Sequence, residues 1–324
     1  MAESSAFNLT ELANACYIGT SNPREDKIQA IKMLENNYSE EQLTTLYIYF
    51  FNLETDFEIQ KHLIKLIDKI KHPNSFDFFI NILLMKNDIQ HRFESEEKLV
   101  QIRVLATKAL ANLKNMEAFN ILLYCLNSKD ENYKVRLACA EAMGKLGDKY
   151  AVTPLINVVS DDDEKSVYVK ESAVKALGML GDERAVDTLV NILESKRGLI
   201  DKFTYLKERA IESLSKITTT PSQKVIKALK TNLMDASSQV RISAISALMD
   251  LNHPDSVELI KSTLFDEDSE VIENAVVALY NLTGCDILFE ILNDEKYPQC
   301  AKDKASEIYK EYESDNDNDL SDNG

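Results

Sequence analysis

The segment from residue 135 to residue 194 contains one unit twice, and this repetition limits the possible folds more than any other feature. The first copy reads VRLACAEAMGKLGDKYAVTPLINVVSDD and the second reads VKESAVKALGMLGDERAVDTLVNILES. Each copy contains a glycine followed by an aspartate near its middle, at Gly147 and at Gly181. Glycine can end one helix in the left-handed conformation, and aspartate can cap the next helix. Each copy is therefore predicted to be a pair of helices.

Weaker copies of the unit recur at a nearly constant period. An aliphatic residue followed by a base marks them at Ile102-Arg103, Val135-Arg136, Val169-Lys170, Leu206-Lys207 and Val240-Arg241. Seven residues after each base lies an apolar residue of the helix centre, and these residues are Leu110, Met143, Leu177, Leu214 and Leu248. Their spacings are 33, 34, 37 and 34 residues, and fainter copies add Ile67 and Leu279. Such a period, with two amphipathic helices in each repeat, predicts an all-α protein built as an α-solenoid.

The chain is predicted to contain three parts. Residues 1–55 form an N-terminal helical cap, and residues 56–312 form the repeat array. Residues 313–324 are polar and acidic without an apolar face, which predicts a disordered tail. The helices of the cap are predicted over residues 8–18, 24–36 and 40–53, with Asn8 and Ser39 as N-caps.

Two repeats carry extra sequence at the turn between their two helices. The extra segments are IQHRFESEEKLV (89–100) and KRGLIDKFTYL (196–206). Because the two segments occupy the same place in the repeat, both are predicted to be loops that project from one edge of the solenoid.

The repeated units quoted above resemble HEAT repeats, in particular the short repeats of bacteria and of cyanobacterial phycobilin lyases of the E/F type. The close match covers about residues 100–195 and continues weakly to about residue 292. The resemblance implies a HEAT-like α-solenoid, a right-handed superhelix of antiparallel helix pairs. It also implies an alternative function, as a bilin lyase-type enzyme or a phycobilisome assembly or degradation factor that handles bilin chromophores on phycobiliproteins.

Charge and composition argue against several classes of function. The 37 Lys and Arg residues face 54 Asp and Glu residues, and the resulting net charge of −17 disfavours nucleic acids, a HEAT-like DNA glycosylase and anionic membranes. No apolar stretch is long enough for a membrane span, and the N-terminus lacks the basic region of a signal peptide. Five scattered cysteines without a CxxC pair are typical of a reducing compartment, which predicts a cytoplasmic protein.

The sequence contains no arrangement typical of catalysis or metal binding. The four histidines lack metal-ligand spacing, and the acidic run at 161–164 lacks the glycine and alternating ligands of an EF-hand loop. Cys125 and Cys139 have no histidine within 30 residues, although a nucleophilic cysteine needs a nearby base. No catalytic residue, metal or cofactor is predicted, and bilin is the cofactor only under the lyase alternative.

The bases that mark the repeats, Arg103, Arg136, Lys170, Lys207 and Arg241, have two interpretations. Stacked one per repeat, they could bind carboxylates of a ligand or of an acidic partner. Alternatively, each base pairs with an acid of the preceding turn, and the constant offset between acids and bases favours this interpretation. The candidate acids are Asp130, Asp161, Asp162, Asp163, Asp235 and Asp266.

Three tyrosines provide the best candidates for binding. Tyr168 and Tyr205 occupy equivalent positions just before the bases, Tyr133 is one residue out of register, and Phe203 lies nearby. Tyrosine combines a large apolar face with a hydroxyl and is typical of recognition surfaces, although these residues could instead pack under the inserted loops. The predicted binding residues are Tyr133, Tyr168, Tyr205, Arg136, Lys170, Lys207 and Arg241.

These observations favour a non-catalytic scaffold or adaptor that binds another protein through the curved surface and loop edge of a HEAT solenoid. The expected partner is a protein, such as a related HEAT-repeat subunit or a phycobiliprotein, rather than a nucleic acid or a membrane. An enzyme is expected only under the bilin alternative.

Overall fold

The computed structural model of the protein describes residues 7–85, 93, 95–195, 201–218 and 221–321, with the side chains of residues 201–203 and 314–321 excepted. Within these residues the secondary structure is helical throughout, and no strand occurs. The predicted all-α class is therefore confirmed. The chain divides into two compact units, Met1–Ala151 and Val152–Gly324.

The described helices alternate between a first and a second helix of each hairpin. In the first unit they are α1 Leu9–Ala15, α2 Arg24–Leu34, α3 Glu40–Leu53, α4 Phe57–Ile70, α5 Phe76–Leu84, α6 Glu96–Leu113, α7 Ala118–Asn127 and α8 Tyr133–Leu146. In the second unit they are α9 Val152–Ser160, α10 Val167–Leu180, α11 Val186–Glu194, α12 Asp201–Ile217, α13 Gln223–Asn232, α14 Ser238–Leu251, α15 Ser256–Lys261, α16 Ser269–Thr283, α17 Asp286–Asn293 and α18 Gln299–Ser321.

Hairpins stack on one another through their even-numbered helices. In the first unit α3 packs on α4, α5 on α6 and α7 on α8, while α4 contacts α6 and α6 contacts α8. In the second unit each odd-numbered helix from α9 to α17 packs on the helix that follows it, and α10, α12, α14, α16 and α18 form a continuous row. This is the architecture of an α-solenoid of HEAT-like helix pairs, as the period predicted.

The helix-centre positions form the core. The seven residues predicted from the period are all 0% exposed, and they are Ile67, Leu110, Met143, Leu177, Leu214, Leu248 and Leu279. Burial of one such side chain contributes roughly 1.5–3 kcal/mol, so each repeat gains stability from the neighbour that covers it. Stacking, and not any single hairpin, therefore provides the hydrophobic stabilisation.

The cap helices follow their predicted start signals. Asn8 accepts hydrogen bonds from the backbone of Thr10 and Glu11, and Ser39 forms a reciprocal capping box with Gln42. The helix predicted over 40–53 is confirmed, whereas α1 and α2 end earlier than predicted, at Ala15 and Leu34. Tyr17, at φ +57°, lies in the left-handed region just beyond α1.

The prediction that the inserted segments 89–100 and 196–206 are loops is wrong for their described helical residues. Residues 96–100 and 201–206 form the first turns of α6 and α12, which have 18 and 17 residues against 14 for α8, α10 and α14. Leu99, Val100 and Leu206 are buried, because they extend the apolar face of the helix by a turn. Residues 86–92, 94 and 196–200 lie outside the described residues.

The boundaries predicted for the repeat array, at 55/56 and 312/313, are not tested by the described residues. Helix α18 continues to Ser321, into the segment predicted as a tail. The side chains of residues 314–321 and all of residues 322–324 lie outside the described residues. Disorder over 313–324 and the boundary between the cap and the array at 55/56 stay predictions.

Left-handed residues end several of the even-numbered helices. Gly147 and Gly181 follow α8 and α10 at φ +80° and +62°, as predicted, but Lys114 and Asn252 adopt φ +52° and +44° at the equivalent places. Asp148 and Asp182 then accept hydrogen bonds from backbone N–H groups two residues on. Each aspartate caps a short 3-10 turn that precedes the next helix.

Replacing a left-handed glycine by alanine and replacing a left-handed lysine by glycine should change the free energy of unfolding in opposite directions. A side chain in the left-handed region costs about 1–2 kcal/mol, partly offset by about 0.5–1 kcal/mol because glycine loses more entropy on folding. Gly147→Ala should lower the free energy of unfolding by about 0.5–1 kcal/mol, and Lys114→Gly should raise it by a similar amount. A Cβ at Gly147 meets no atom within 4 Å, so the effect reports the backbone alone. Urea unfolding measures both, and a change of the same sign would contradict the interpretation.

Candidate functional site

The bases that mark the repeats lie in the protein interior. Arg103, Arg136, Lys207 and Arg241 are only 3%, 5%, 9% and 6% exposed. Arg136, Lys170 and Arg241 are each the fourth residue of their helix. Arg103 and Lys207 occur later in α6 and α12 because these helices begin earlier. Lys170 differs in being half-buried.

Arg103, Lys207 and Arg241 pair with acids. Arg103 donates from Nη1 and Nη2 to both carboxylate oxygens of Glu131 at 2.8 and 2.7 Å. Lys207 pairs with Asp235, and Arg241 Nη2 donates to Asp266 Oδ1 at 2.7 Å. We call each such pair a rung: a base of an even-numbered helix bonded to an acid in the turn before the next even-numbered helix.

The rungs agree with the structural interpretation of the bases, with two corrections. Asp235 and Asp266 were candidate acids, but Arg103 pairs with Glu131 rather than Asp130. The acid also belongs to the turn before the next even-numbered helix, and not to the turn that precedes the helix of its base. This occurs because consecutive even-numbered helices stack side by side, which brings the next turn against the base.

Backbone groups complete the rungs. Arg103 Nε donates to Leu83 O and Arg136 Nε donates to Leu126 O, both at 2.8 Å, which satisfies carbonyls in the last turn of the preceding helix. Arg241 instead uses Nη1 for the carbonyl of Asp235 and leaves its buried Nε without a hydrogen bond. The acids Glu131, Asp235 and Asp266 each accept a backbone N–H of their own turn. The charges are therefore committed to internal bonds.

A further rung lies in the segment predicted as a cap, and sequence reasoning missed it. Lys27, the fourth residue of α2, is 2% exposed and its Nζ lies 2.8 Å from Glu54 Oε2. Lys27 also donates to the carbonyl of Thr20. Gln60, the fourth residue of α4, donates to the carbonyl of Glu54. Lys27 has the same position in its helix as the bases of α8, α10 and α14. It does not fit the pattern of an aliphatic residue followed by a base, because Asp26 precedes it.

Hydrogen bonds decide the protonation state of Glu54. Burial alone would raise the pKa of this carboxyl, but donation from the backbone of Asp56, from Lys27 and from the backbone of Gly19 lowers the pKa below its usual value. The carboxylate is therefore ionised and bonded at both oxygens. The rung thus contributes stability that depends on pH.

Removal of one partner of a rung should be far more costly than removal of an exposed ion pair. Arg103→Met leaves Glu131 buried without its cation, which should cost about 3–5 kcal/mol. The double variant Arg103→Met/Glu131→Leu should recover at least half of that loss, since it removes both buried charges. Lys216→Met, in an exposed pair with Glu212, is the control and should cost less than about 1 kcal/mol. Equal losses in chemical unfolding for Arg103 and Lys216 would contradict the assignment.

The Glu54 rung should make the protein sensitive to acid. Because the folded pKa of Glu54 is lowered, its stabilisation is present above the unfolded value of about 4.3 and is lost as the pH falls through the folded pKa. Glu54→Gln should lower stability at neutral pH and flatten the decline of the free energy of unfolding below about pH 4.3. Exposed Glu117→Gln is the control and should change the free energy of unfolding at neutral pH by less than about 0.5 kcal/mol. An identical profile for Glu54→Gln and the parent protein would disprove the role.

The three predicted tyrosines remain on the surface. Tyr133, Tyr168 and Tyr205 are 43%, 53% and 61% exposed, although tyrosine is usually largely buried. Tyr168 lies on α10 and Tyr205 on α12, two neighbouring helices of the second unit. Tyr133 opens α8 in the first unit. The side chain of Phe203 lies outside the described residues.

Other chemistries have little support among the described residues. No group of three or more His, Cys, Asp and Glu side chains there could hold a metal ion. Cys125 and Cys139 are buried, and burial raises the pKa of the Cys139 thiol, which keeps it protonated. No described helix is long and apolar enough to cross a membrane. The three tyrosines and the half-buried Lys170 are thus the remaining candidates of the original set.

Comparison with known proteins identifies the repeats. A family model of HEAT repeats matches residues 92–168, 128–200, 164–249 and 222–303. No curated protein matches the sequence.

Three solved structures illustrate the structural likeness. Human deoxyhypusine hydroxylase in complex with glycerol shares 15% identity over 85% of this chain and 95% of its own, with a TM-score of 0.35. The complex of CpcE and CpcF of phycocyanin lyase from Nostoc shares 24% identity over 68% and 81%, with a TM-score of 0.43. The archaeal HEAT-like repeats protein from Thermococcus onnurineus shares 19% identity over 73% and 96%, with a TM-score of 0.43.

Proposed function

The chain belongs to the HEAT-repeat family, and we propose that it is a non-catalytic adaptor that binds another protein. The observation that carries this proposal is the exposure of Tyr168 and Tyr205 at equivalent places in consecutive repeats. Repeat folds leave function to the surface positions that stacking does not use. These two tyrosines occupy such positions.

One rung supports the proposed role by holding the backbone at Tyr205 in place. Tyr205 stands two residues before Lys207 on α12. The ammonium group of Lys207 is bound to Asp235 in the turn before α14. The backbone under Tyr205 is therefore anchored before any partner arrives. A preorganised aromatic side chain loses little entropy on binding, which favours affinity. Tyr168 stands at the same distance before Lys170.

The predicted bases take different parts in the proposed surface. Lys207 and Arg241 act by positioning, since their charges are paired inside the protein. Arg136 donates to the carbonyl of Leu126 and likewise supports its helix. Lys170 is half-buried and remains a candidate for direct contact with the partner, together with Tyr133, Tyr168 and Tyr205. The partner in this proposal is a protein in the cytoplasm, with no nucleic acid or membrane required.

The pairing of the repeated bases inside the protein argues against the bilin alternative. Under this alternative the carboxylates of a bilin would bind the repeated bases, but Arg103, Lys207 and Arg241 are bonded to Glu131, Asp235 and Asp266. A bilin would have to displace these acids. The absorbance of a free bilin should therefore stay unchanged on mixing with the protein, and a shift that Lys170→Ala abolishes would reverse the order of the two functions.

Removal of the tyrosines should weaken partner capture without unfolding the protein. Exposed aromatic anchors of interfaces contribute about 1–2 kcal/mol or more each, so Tyr168→Ala/Tyr205→Ala should reduce capture at least about tenfold. Affinity purification from the native host, with quantification of each captured protein, measures the effect. Tyr150→Ala is the matched control, because Tyr150 is 82% exposed and lies outside this pair. Capture that is equal for the double variant and the control would refute the tyrosine surface.

A further inference from the structure

A groove with four lysines crosses the exposed sides of α4, α6 and α8 in the first unit. Its volume is about 400 Å³. Lys61 and Lys65 come from α4, Lys108 from α6 and Lys134 from α8. None of these residues belongs to a rung or to the tyrosine surface. The groove is therefore a separate feature that needs its own explanation.

The lysines of the groove are available for binding. Lys61 pairs with Glu58 at 3.1 Å, but Lys65, Lys108 and Lys134 take part in no ion pair with the described part of the chain. All three are exposed, and no acidic residue lines the groove. The protein carries 54 acids against 37 bases, so a cationic groove without acids departs from the rest of the surface. Such a focused charge attracts an anionic partner.

The floor of the groove is apolar. Val104, Leu105 and Leu137 are half-buried, and Val100 lies beneath them. Val100 and Val104 are four residues apart on α6, so they lie on one side of that helix. Lysine stems can cover apolar atoms, but Val104, Leu105 and Leu137 remain partly exposed between the charges. We call these three residues the apolar strip, and the polar Gln101 lines the groove beside it.

We propose that this groove docks an amphipathic helix of a partner protein whose apolar stripe is flanked on both sides by Asp or Glu. Helix α6 packs between α4 and α8, so the lysines of α4 lie on one side of the strip and Lys134 on the other. An apolar stripe in a groove with charges along both edges is the usual way in which proteins hold a helical segment. The inference is independent of Tyr168 and Tyr205, which lie on α10 and α12 of the second unit.

The same groove suits nucleic acid less well. A phosphate backbone needs a basic track and gains nothing from Val104, Leu105 and Leu137 at its centre. The net charge of −17 also repels a long polyanion more strongly than it repels a helix with a few acids. The apolar strip thus distinguishes the two classes.

A synthetic helix tests the proposal. The probe is a fluorescein-labelled peptide with leucines at three- and four-residue spacing and glutamates on both flanks, and fluorescence anisotropy measures its affinity for the full chain. Lys65→Glu/Lys108→Glu should weaken binding at least about tenfold, and Lys65→Gln/Lys108→Gln should weaken it less. Lys145→Glu/Lys227→Glu gives the same net charge from exposed sites outside the groove and should change the affinity by less than about twofold.

Several outcomes would overturn the proposal. They are the absence of saturable binding, equal binding of a peptide with lysine in place of glutamate, and equal losses in the groove and control variants. An oligonucleotide that displaces the peptide and binds more tightly would assign the groove to nucleic acid instead. Self-association that depends on Lys65 and Lys108, without peptide binding, would assign it to a second copy of the chain. All four exchanged lysines are exposed, so thermal unfolding should be nearly unchanged in each variant.

Discussion

The stacking of these helices depends on the buried pairing of a base with an acid one repeat further along. Each of the pairs Lys27–Glu54, Arg103–Glu131 and Arg241–Asp266 removes two charges from water, which is costly unless further bonds compensate. Compensation is present because each base also donates to a backbone carbonyl and each acid accepts an N–H of its own turn. An apolar contact would tolerate a shift of one turn between helices, whereas a hydrogen-bonded ion pair is lost by such a shift.

The rungs also explain why the regularly repeated bases of the sequence do not form a basic surface. The bases that recur most regularly are used inside the protein. On the surface lie the exposed Tyr168 and Tyr205 in the second unit and the lysines of the groove in the first unit. These two surfaces differ in chemistry, which suits partners of different character.

Much of the fold could be predicted from periodicity, because burial of one residue per helix centre leaves a direct record in the sequence. Ile67 and Leu279 were placed in the series from faint copies, and both are fully buried. The inserted segments were misjudged because extra length at a turn was interpreted as a loop, although Leu99 and Val100 continue the helical spacing.

The candidate site was harder to predict because it depends on contacts between repeats. A pattern along one helix shows that Arg103 recurs, but only stacking shows that Glu131 meets it. Lys27 was missed because its rung uses the same geometry without the same neighbour in sequence. The lysine groove was missed for a similar reason, since Lys65, Lys108 and Lys134 are distant in sequence and share no motif.

The spacing of the rungs has a consequence for how the chain reaches its fold. Acid and base are separated by 25 to 28 residues, which is less than a tenth of the chain of 324 residues. The charged contacts that join repeats are therefore local, and a low contact order is associated with rapid folding. A nascent chain can close each rung as soon as the next turn emerges from the ribosome. Assembly can thus proceed repeat by repeat during synthesis, without waiting for the C-terminus.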